Sequence, residues 1–252
     1  MRLHATEAGD GPPLVLLHGL FGAAANWGAI QKALSASYRV IALDLRNHGQ
    51  SPRGPSMDYA AMAVDVAETL AAMGARPATV IGHSMGGKVA MALAVADPGA
   101  VSRLVVADIA PVAYPPIQRG FLAAMQGLAL DPGLTRRAAD AALAQTVPEA
   151  GIRAFLLQSL RFEGAVPHWR LGLVELAAGM PAIEAAPPGG RFDGPVLVLA
   201  GEKSDYIRPE HHALFRGLFP AATFATVPLA GHWVHAENPA GFLGLVTAFL
   251  AG

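Results

Sequence analysis

The stretch Thr79-Val80-Ile81-Gly82-His83-Ser84-Met85-Gly86-Gly87-Lys88 decides both fold and chemistry. Three strand-forming residues run into a glycine-flanked serine, and a helix-forming run over 88–96 follows. Gly82 to Gly86 match G-x-S-x-G, a sharp strand-to-helix turn that strains its central residue and lifts the hydroxyl above a sheet. Bulky side chains two positions to either side of the serine would clash, which accounts for Gly82 and Gly86. Ser84 is therefore a candidate nucleophile. The same residues also spell G-x-x-x-x-G-K from Gly82 to Lys88, the start of a phosphate-binding loop. Val89 stands where that loop needs a Ser or Thr for Mg²⁺, so nucleotide binding is set aside.

Further short apolar runs lie on either side, at 14–18, 38–45, 104–109, 196–200 and 223–227. Continuous apolarity, rather than alternation, suits strands buried on both faces. Amphipathic segments separate them. Over 58–73, Tyr59, Met62, Val66, Leu70 and Met73 recur three or four apart, and Gly74 follows as a helix terminus prefers. Alternating strands and helices build a mainly parallel sheet flanked by helices, with ligands at the carboxyl ends of the strands. From 111 to 194 the rhythm breaks. Helical stretches are expected at 117–130, 134–145, 151–160 and 169–177, separated by Pro132, Pro148, Pro167, Pro181 and Pro187-Pro188. The reading is one domain: a core over 1–110 and 195–252, with a helical lid, 111–194, inserted between core strands.

Composition bounds the function. The chain has 252 residues, 53% of them hydrophobic and 15% charged, which excludes disorder. A net charge of −1 gives no footprint for nucleic acid or anionic membrane. The absence of cysteine removes disulfides, thiolate metal sites and cysteine nucleophiles. No run reaches the roughly 18 apolar residues of a membrane span, so no membrane insertion is expected. Met1 to Glu7 lack the apolar stretch of a signal peptide, so a cytoplasmic location is the expectation.

A serine hydroxyl needs a general base. His232, in Ala230-Gly231-His232-Trp233 just past the last strand, is the best placed. His18 and His83 adjoin motif glycines and are read as loop-shaping, His48 belongs to a turn, His211 and His212 are read as surface, and His235 supports His232. Zinc at His232 and His235 lacks H-E-x-x-H and a third ligand, so no metal is expected. The base needs an acid to fix its tautomer. Asp108, closing the 104–107 run, and Asp205, in the loop after 196–200, both qualify, and spacing does not choose between them. An oxyanion hole needs backbone N–H donors. Met85 supplies one; Leu20, or failing that Phe21, in His18-Gly19-Leu20-Phe21-Gly22 supplies the other.

Together these motifs resemble the α/β-hydrolases over essentially the whole chain. The likeness is greatest to the YbfF-type esterases and their mitochondrial abhydrolase-domain relatives. It rests on Leu-His-Gly-Leu-Phe-Gly (17–22), Asn26-Trp27, Arg46-Asn47-His48-Gly49, His-Ser-Met-Gly-Gly-Lys (83–88), Asp-Ile-Ala-Pro-Val (108–112) and Gly-His-Trp-Val-His-Ala (231–236). The resemblance implies the α/β-hydrolase fold, no cofactor, and a small-molecule ester or thioester substrate, short-chain or of acyl-CoA type, cleaved through an acyl-enzyme on Ser84. It favours Asp108 over Asp205 as the acid. Other chemistries that keep the serine are C–C hydrolysis, lyase and cofactor-free haloperoxidase reactions; a non-catalytic ligand sensor is a further alternative. Arg119, Arg136, Arg137, Arg153, Arg161 and Arg170 are scattered through the lid, and one at the pocket mouth would favour an acidic substrate.

Overall fold

The computed structural model describes residues 1–252. Seven strands form one sheet: β1 (Ala5–Ala8), β2 (Pro13–Leu17), β3 (Arg39–Leu43), β4 (Ala78–His83), β5 (Val101–Ala107), β8 (Val196–Gly201) and β9 (Ala222–Val227), in spatial order β1-β3-β2-β4-β5-β8-β9. Only β1 runs antiparallel, against β3. The six parallel strands are those expected from their apolar runs, and β4 at the centre is buried along its whole length. β1 carries no such run: Ala-Thr-Glu-Ala is an exposed edge, where burial does not write itself into the sequence.

Helices cover both faces. One face packs α2 (Tyr59–Ala72) and α3 (Met85–Ala96) into the larger core; α1 (Gly28–Leu34) and α10 (Pro239–Ala251) pack the other around Trp27 and Phe242. α8 (His211–Leu218) and the single turn α9 (Val234–Glu237) complete the core. Asp58 caps α2 by accepting from the Ala61 amide at 2.7 Å.

Between β5 and β8 run α4 (Gln118–Gly127), α5 (Arg136–Leu143), α6 (Ala150–Leu156) and α7 (Leu173–Glu184). The all-helical segment expected above is interrupted: β6 (Leu160–Arg161) and β7 (His168–Trp169) pair as a short ribbon. The fourth helix begins at Leu173 because Trp169 is drawn into that ribbon, and it continues through Pro181 to Glu184. The sequence reading took that proline as a stop. Its reach is explained by what holds its far end. The carbonyls of Ile183, Glu184 and Ala185 accept from Tyr59 OH at 2.5 Å, Tyr114 N at 2.9 Å and Lys88 Nζ at 2.6 Å. Three orphan carbonyls at the helix end are thus satisfied from outside. Lys88, the residue that mimicked a phosphate-binding lysine, is fully buried, and its ammonium faces the Tyr59 and Tyr114 rings at 5.3 and 4.9 Å. Burial pushes its pKa down to about 8.

The serine turn is the tightest point of the fold. Ser84 has φ 53°, a left-handed conformation that costs a non-glycine residue on the order of 1 kcal/mol. A Cβ on Gly82 would lie 2.2 Å from the Gly86 carbonyl oxygen, and one on Gly86 would lie 2.4 Å from that of Leu17. Gly86→Ala should therefore destabilise by roughly 2 kcal/mol or more, as backbone overlap demands. Gly244, mid-helix with open space around it, should do the reverse: Gly244→Ala stabilises by about 0.5–1 kcal/mol. At this chain length each kcal/mol moves the melting temperature by about 2–4 °C, so thermal unfolding followed by circular dichroism separates the two. A wild-type melting temperature for Gly86→Ala would refute the close-packed turn.

Candidate active site

Four loops at the carboxyl ends of β2, β4, β5 and β9 converge above the sheet. Strand register sets two of them. His83 pairs with Ala107 across β4 and β5, so Ser84 and Asp108 are the next residues on adjacent strands. Each has φ 53°. The Ser84 amide donates to Ala107 O at 3.0 Å and the Asp108 amide to Leu199 O at 2.8 Å. Both strained residues are thus tied to a neighbouring strand.

His232 bridges them. Its Nε2 lies 3.0 Å from Ser84 Oγ, and its Nδ1 lies 2.7 Å from Asp108 Oδ2. Asp108 is wholly buried, yet its oxygens are satisfied. Oδ1 accepts from the Gly201 amide at 2.9 Å, and Oδ2 also accepts from Ser204 Oγ at 2.5 Å. The carboxylate on Nδ1 selects the tautomer that presents a bare Nε2 to the serine. Asp205, the rival acid, is exposed. Its hydrogen bonding is confined to its carbonyl, which accepts from Arg208 Nε at 3.2 Å. The structure brings Asp108 to the histidine and leaves Asp205 outside.

The β2 loop supplies the amides. Phe21 has φ 64°, and its N–H donates to His48 Nε2 at 3.2 Å. That amide is spent, so the fallback donor drops out. The Leu20 amide makes no intramolecular hydrogen bond. Met85 opens α3, where an N–H has no carbonyl one turn earlier. His18 holds this loop, and His48, read from sequence only as part of a turn, reaches it too. His18 donates from Nδ1 to Gly19 O at 2.8 Å and accepts at Nε2 from Leu45 N at 2.9 Å. His48 donates from Nδ1 to Arg46 O at 2.8 Å. Each ring therefore needs one bare nitrogen and stays neutral, and burial pushes both pKa values down.

His83 proves to be more than a loop-shaping residue. Its Nε2 donates to the His232 carbonyl at 2.7 Å, and its ring centroid lies 4.7 Å from that of His232. His235, foreseen as a support, reaches His83 edge-on at 4.8 Å and stacks on Trp27 at 4.2 Å. Desolvation lowers both pKa values, that of His235 to about 4. The other face of the His232 ring is covered by Tyr206, stacked at 4.0 Å. Gly201 ends β8, Ser204 and Tyr206 lie in the loop after it, and none was singled out from sequence. Their positions just past a strand end were the available signal.

Ser84 and His232 open into a cavity of about 800 Å³. Core residues Leu20, Phe21 and Trp233 line it from below, and Ile117, Phe121, Ile152 and Phe155 from the 111–194 segment line it from above. None of the seven arginines of that segment lines it. Arg119 pairs with Glu184 and Arg153 with Asp140, while Arg161 and Arg170 line a separate polar hollow of about 230 Å³.

Residues 12–239 match the family model described as alpha/beta hydrolase fold. The chain belongs to the α/β-hydrolase family. It is 43% identical over 249 residues to the sn-1-specific diacylglycerol lipase ABHD11 of Mus musculus, covering 95% of this chain and 81% of that one. It is 38% identical to the esterase YbfF of Escherichia coli, covering 94% and 92%. Among solved structures, a marine microorganism esterase superposes with a TM-score of 0.95 at 34% identity, covering 98% of this chain and 99% of that one. The chain thus sits among the esterases and lipases of its family.

The geometry separates the two aspartates in a measurable way. Asp108→Asn should lower kcat on a chromogenic ester by about 10³–10⁴-fold, because the amide no longer selects the tautomer. Asp205→Asn should stay within about threefold, as an exposed side chain away from the reacting atoms does. A larger loss at Asp205 would reverse the assignment.

Proposed function

We propose that this protein hydrolyses carboxylic esters through an acyl-enzyme on Ser84. The observation that carries the reading is the relay from buried Asp108 through His232 to Ser84, opening onto an apolar cavity beside an unpartnered Leu20 amide. His232 Nε2 takes the proton as Ser84 Oγ adds to the acyl carbon. Asp108 stabilises the imidazolium that forms. The amides of Leu20 and Met85 receive the oxyanion, a contribution of several kcal/mol in triad enzymes. His232 then protonates the departing alcohol, and the released product makes room for water. With His232 again as base, water cleaves the acyl-enzyme and restores the serine.

The cavity fits a medium-sized apolar acyl group; its volume lies within the ~300–1,000 Å³ of small-molecule sites. The 111–194 segment acts as the lid of this site, since it roofs the cavity with Ile117, Phe121, Ile152 and Phe155. Three residues that touch the reaction, Ser84, His232 and Asp108, are fixed by the core, so the lid is free to set specificity. Thioesters suit the same chemistry. The names of the esterase and lipase relatives favour oxygen esters as the first class to test.

The test is intact-protein mass after exposure to a fluorophosphonate, with Ser84→Ala alongside. Wild type should gain one adduct and the variant none. Ser84→Ala should lower kcat on short-chain aryl esters by on the order of 10⁶, as loss of a triad serine does. An unlabelled but folded wild type, or a variant that keeps most of its activity, would sink the acyl-enzyme.

A further inference from the structure

The loop that carries His232 is held by a residue outside the relay. His232 lies between the end of β9 and the turn α9, in a segment with no sheet partner. Nothing in its own backbone pattern fixes the ring to the few tenths of an ångström that proton transfer demands. Glu237, at the end of α9, folds back over this segment. Its Oε2 accepts from the Gly231 amide at 2.8 Å and its Oε1 from the Trp233 amide at 3.2 Å. These are the peptide N–H groups on either side of His232. The His232 carbonyl, which lies between them, accepts from His83 Nε2 at 2.7 Å. Two side chains therefore hold the loop by three backbone atoms. His83 grips from the sheet side, and Glu237 grips from the surface.

We infer that Glu237 is a positioning residue for His232, its carboxylate fixing the backbone on both sides of the general base. The inference rests on the esterase reading above, in which His232 moves the proton.

Three observations set it apart from an ordinary surface glutamate. Glu237 is exposed, so it contributes no buried apolar area to the core. Both of its oxygens are used, each on an amide, and it forms no ion pair. The approach is also close. A Cβ on Gly231 would come within 3.2 Å of Glu237 Oε2 and 3.3 Å of Oε1, so the residue before His232 is kept bare beneath the carboxylate. On its other side the Gly231 carbonyl packs on Gly201 at the end of β8, where a Cβ on Gly201 would lie 2.1 Å from Gly231 O. The loop is thus pinned between the carboxylate and the end of β8. Charge-assisted bonds to amides are short and directional, which suits them to holding a backbone.

The experiment compares Glu237→Ala and Glu237→Gln with wild type and with Ser84→Ala. For Glu237→Ala, kcat on a short-chain aryl ester should fall by about 10–100-fold, the cost of a misplacement near 1 Å. KM should change less than kcat: Glu237 is one lining residue of the cavity, and the apolar wall of Leu20, Phe121, Ile152 and Phe155 is unchanged. Glu237→Gln keeps one carbonyl oxygen and can accept from one amide, so it should recover most of the loss. The low-field proton resonance of the His232 Nδ1–H, shared with Asp108, should broaden in Glu237→Ala while the melting temperature stays at the wild-type value. A kcat within twofold of wild type in Glu237→Ala would overturn the inference. So would a loss that the Gln variant does not recover, or one that follows the melting temperature. If Ser84→Ala is inactive while Glu237→Ala is fully active, only the positioning role falls. If Ser84→Ala is itself active, the esterase reading falls first.

Discussion

The arrangement depends on the register between β4 and β5. Because His83 lies opposite Ala107, the chain leaves the sheet at Ser84 and at Asp108 at the same height on neighbouring strands. Both residues turn through the same left-handed conformation. A slip of one residue would send either side chain to the opposite face of the sheet. Burial on both faces of these strands makes that slip expensive, since every side chain of the β4 ladder is packed. The hydrophobic core thus does chemical service. It sets two polar side chains at a spacing that one imidazole spans.

The strain at those two positions is sustained by the surroundings. At Ser84 the glycines at 82 and 86 allow backbone to approach backbone, and α3 begins at the next residue. The Ser84 carbonyl then accepts from Gly87 N at 2.8 Å and Lys88 N at 3.2 Å, so the turn is closed by helix bonds. At Asp108 the compensation is different. A carboxylate removed from water would cost several kcal/mol if left bare. Gly201 N, Ser204 Oγ and His232 Nδ1 surround it with donors. One of those donors is the last residue of β8 and another lies in the loop after it, where Asp205 also sits. In this chain that end of β8 donates to Asp108, while the Asp205 side chain stays exposed.

This explains what could be read from sequence and what could not. The parallel strands were legible because they write continuous apolar runs, the inner ones through burial on both faces and the edge strand β9 through its β-branched and apolar residues. The serine turn was legible because its sterics permit so few residues. His232 was legible from its place after the last strand. The acid was not, because Asp108 and Asp205 both follow strands and the choice is made by side-chain direction. Resemblance pointed to Asp108, the aspartate whose Oδ2 lies 2.7 Å from His232 Nδ1. The contacts of the supporting residues left no mark. Tyr206, Ser204, His83 and Glu237 act through contacts between elements distant in the chain. The ribbon at Leu160–Arg161 and His168–Trp169 is too short for any periodicity to show.

Lys88 joins the two halves of the molecule in a way that its motif concealed. It stands four residues after Ser84 on α3, so it shares a helix with the nucleophile turn, and its ammonium reaches the Ala185 carbonyl at the end of α7. Tyr59 binds Ile183, two residues earlier in the same helix end. The segment that roofs the cavity is therefore anchored at its far end to the helix that carries Ser84. Its near end follows Asp108 after only a short loop, held where Tyr114 OH accepts from Ala110 N at 2.9 Å. Both attachment points are rigid and close to the reacting residues. Variation in the helices between them would reshape the cavity without moving the relay, and that separation lets one core serve many substrates.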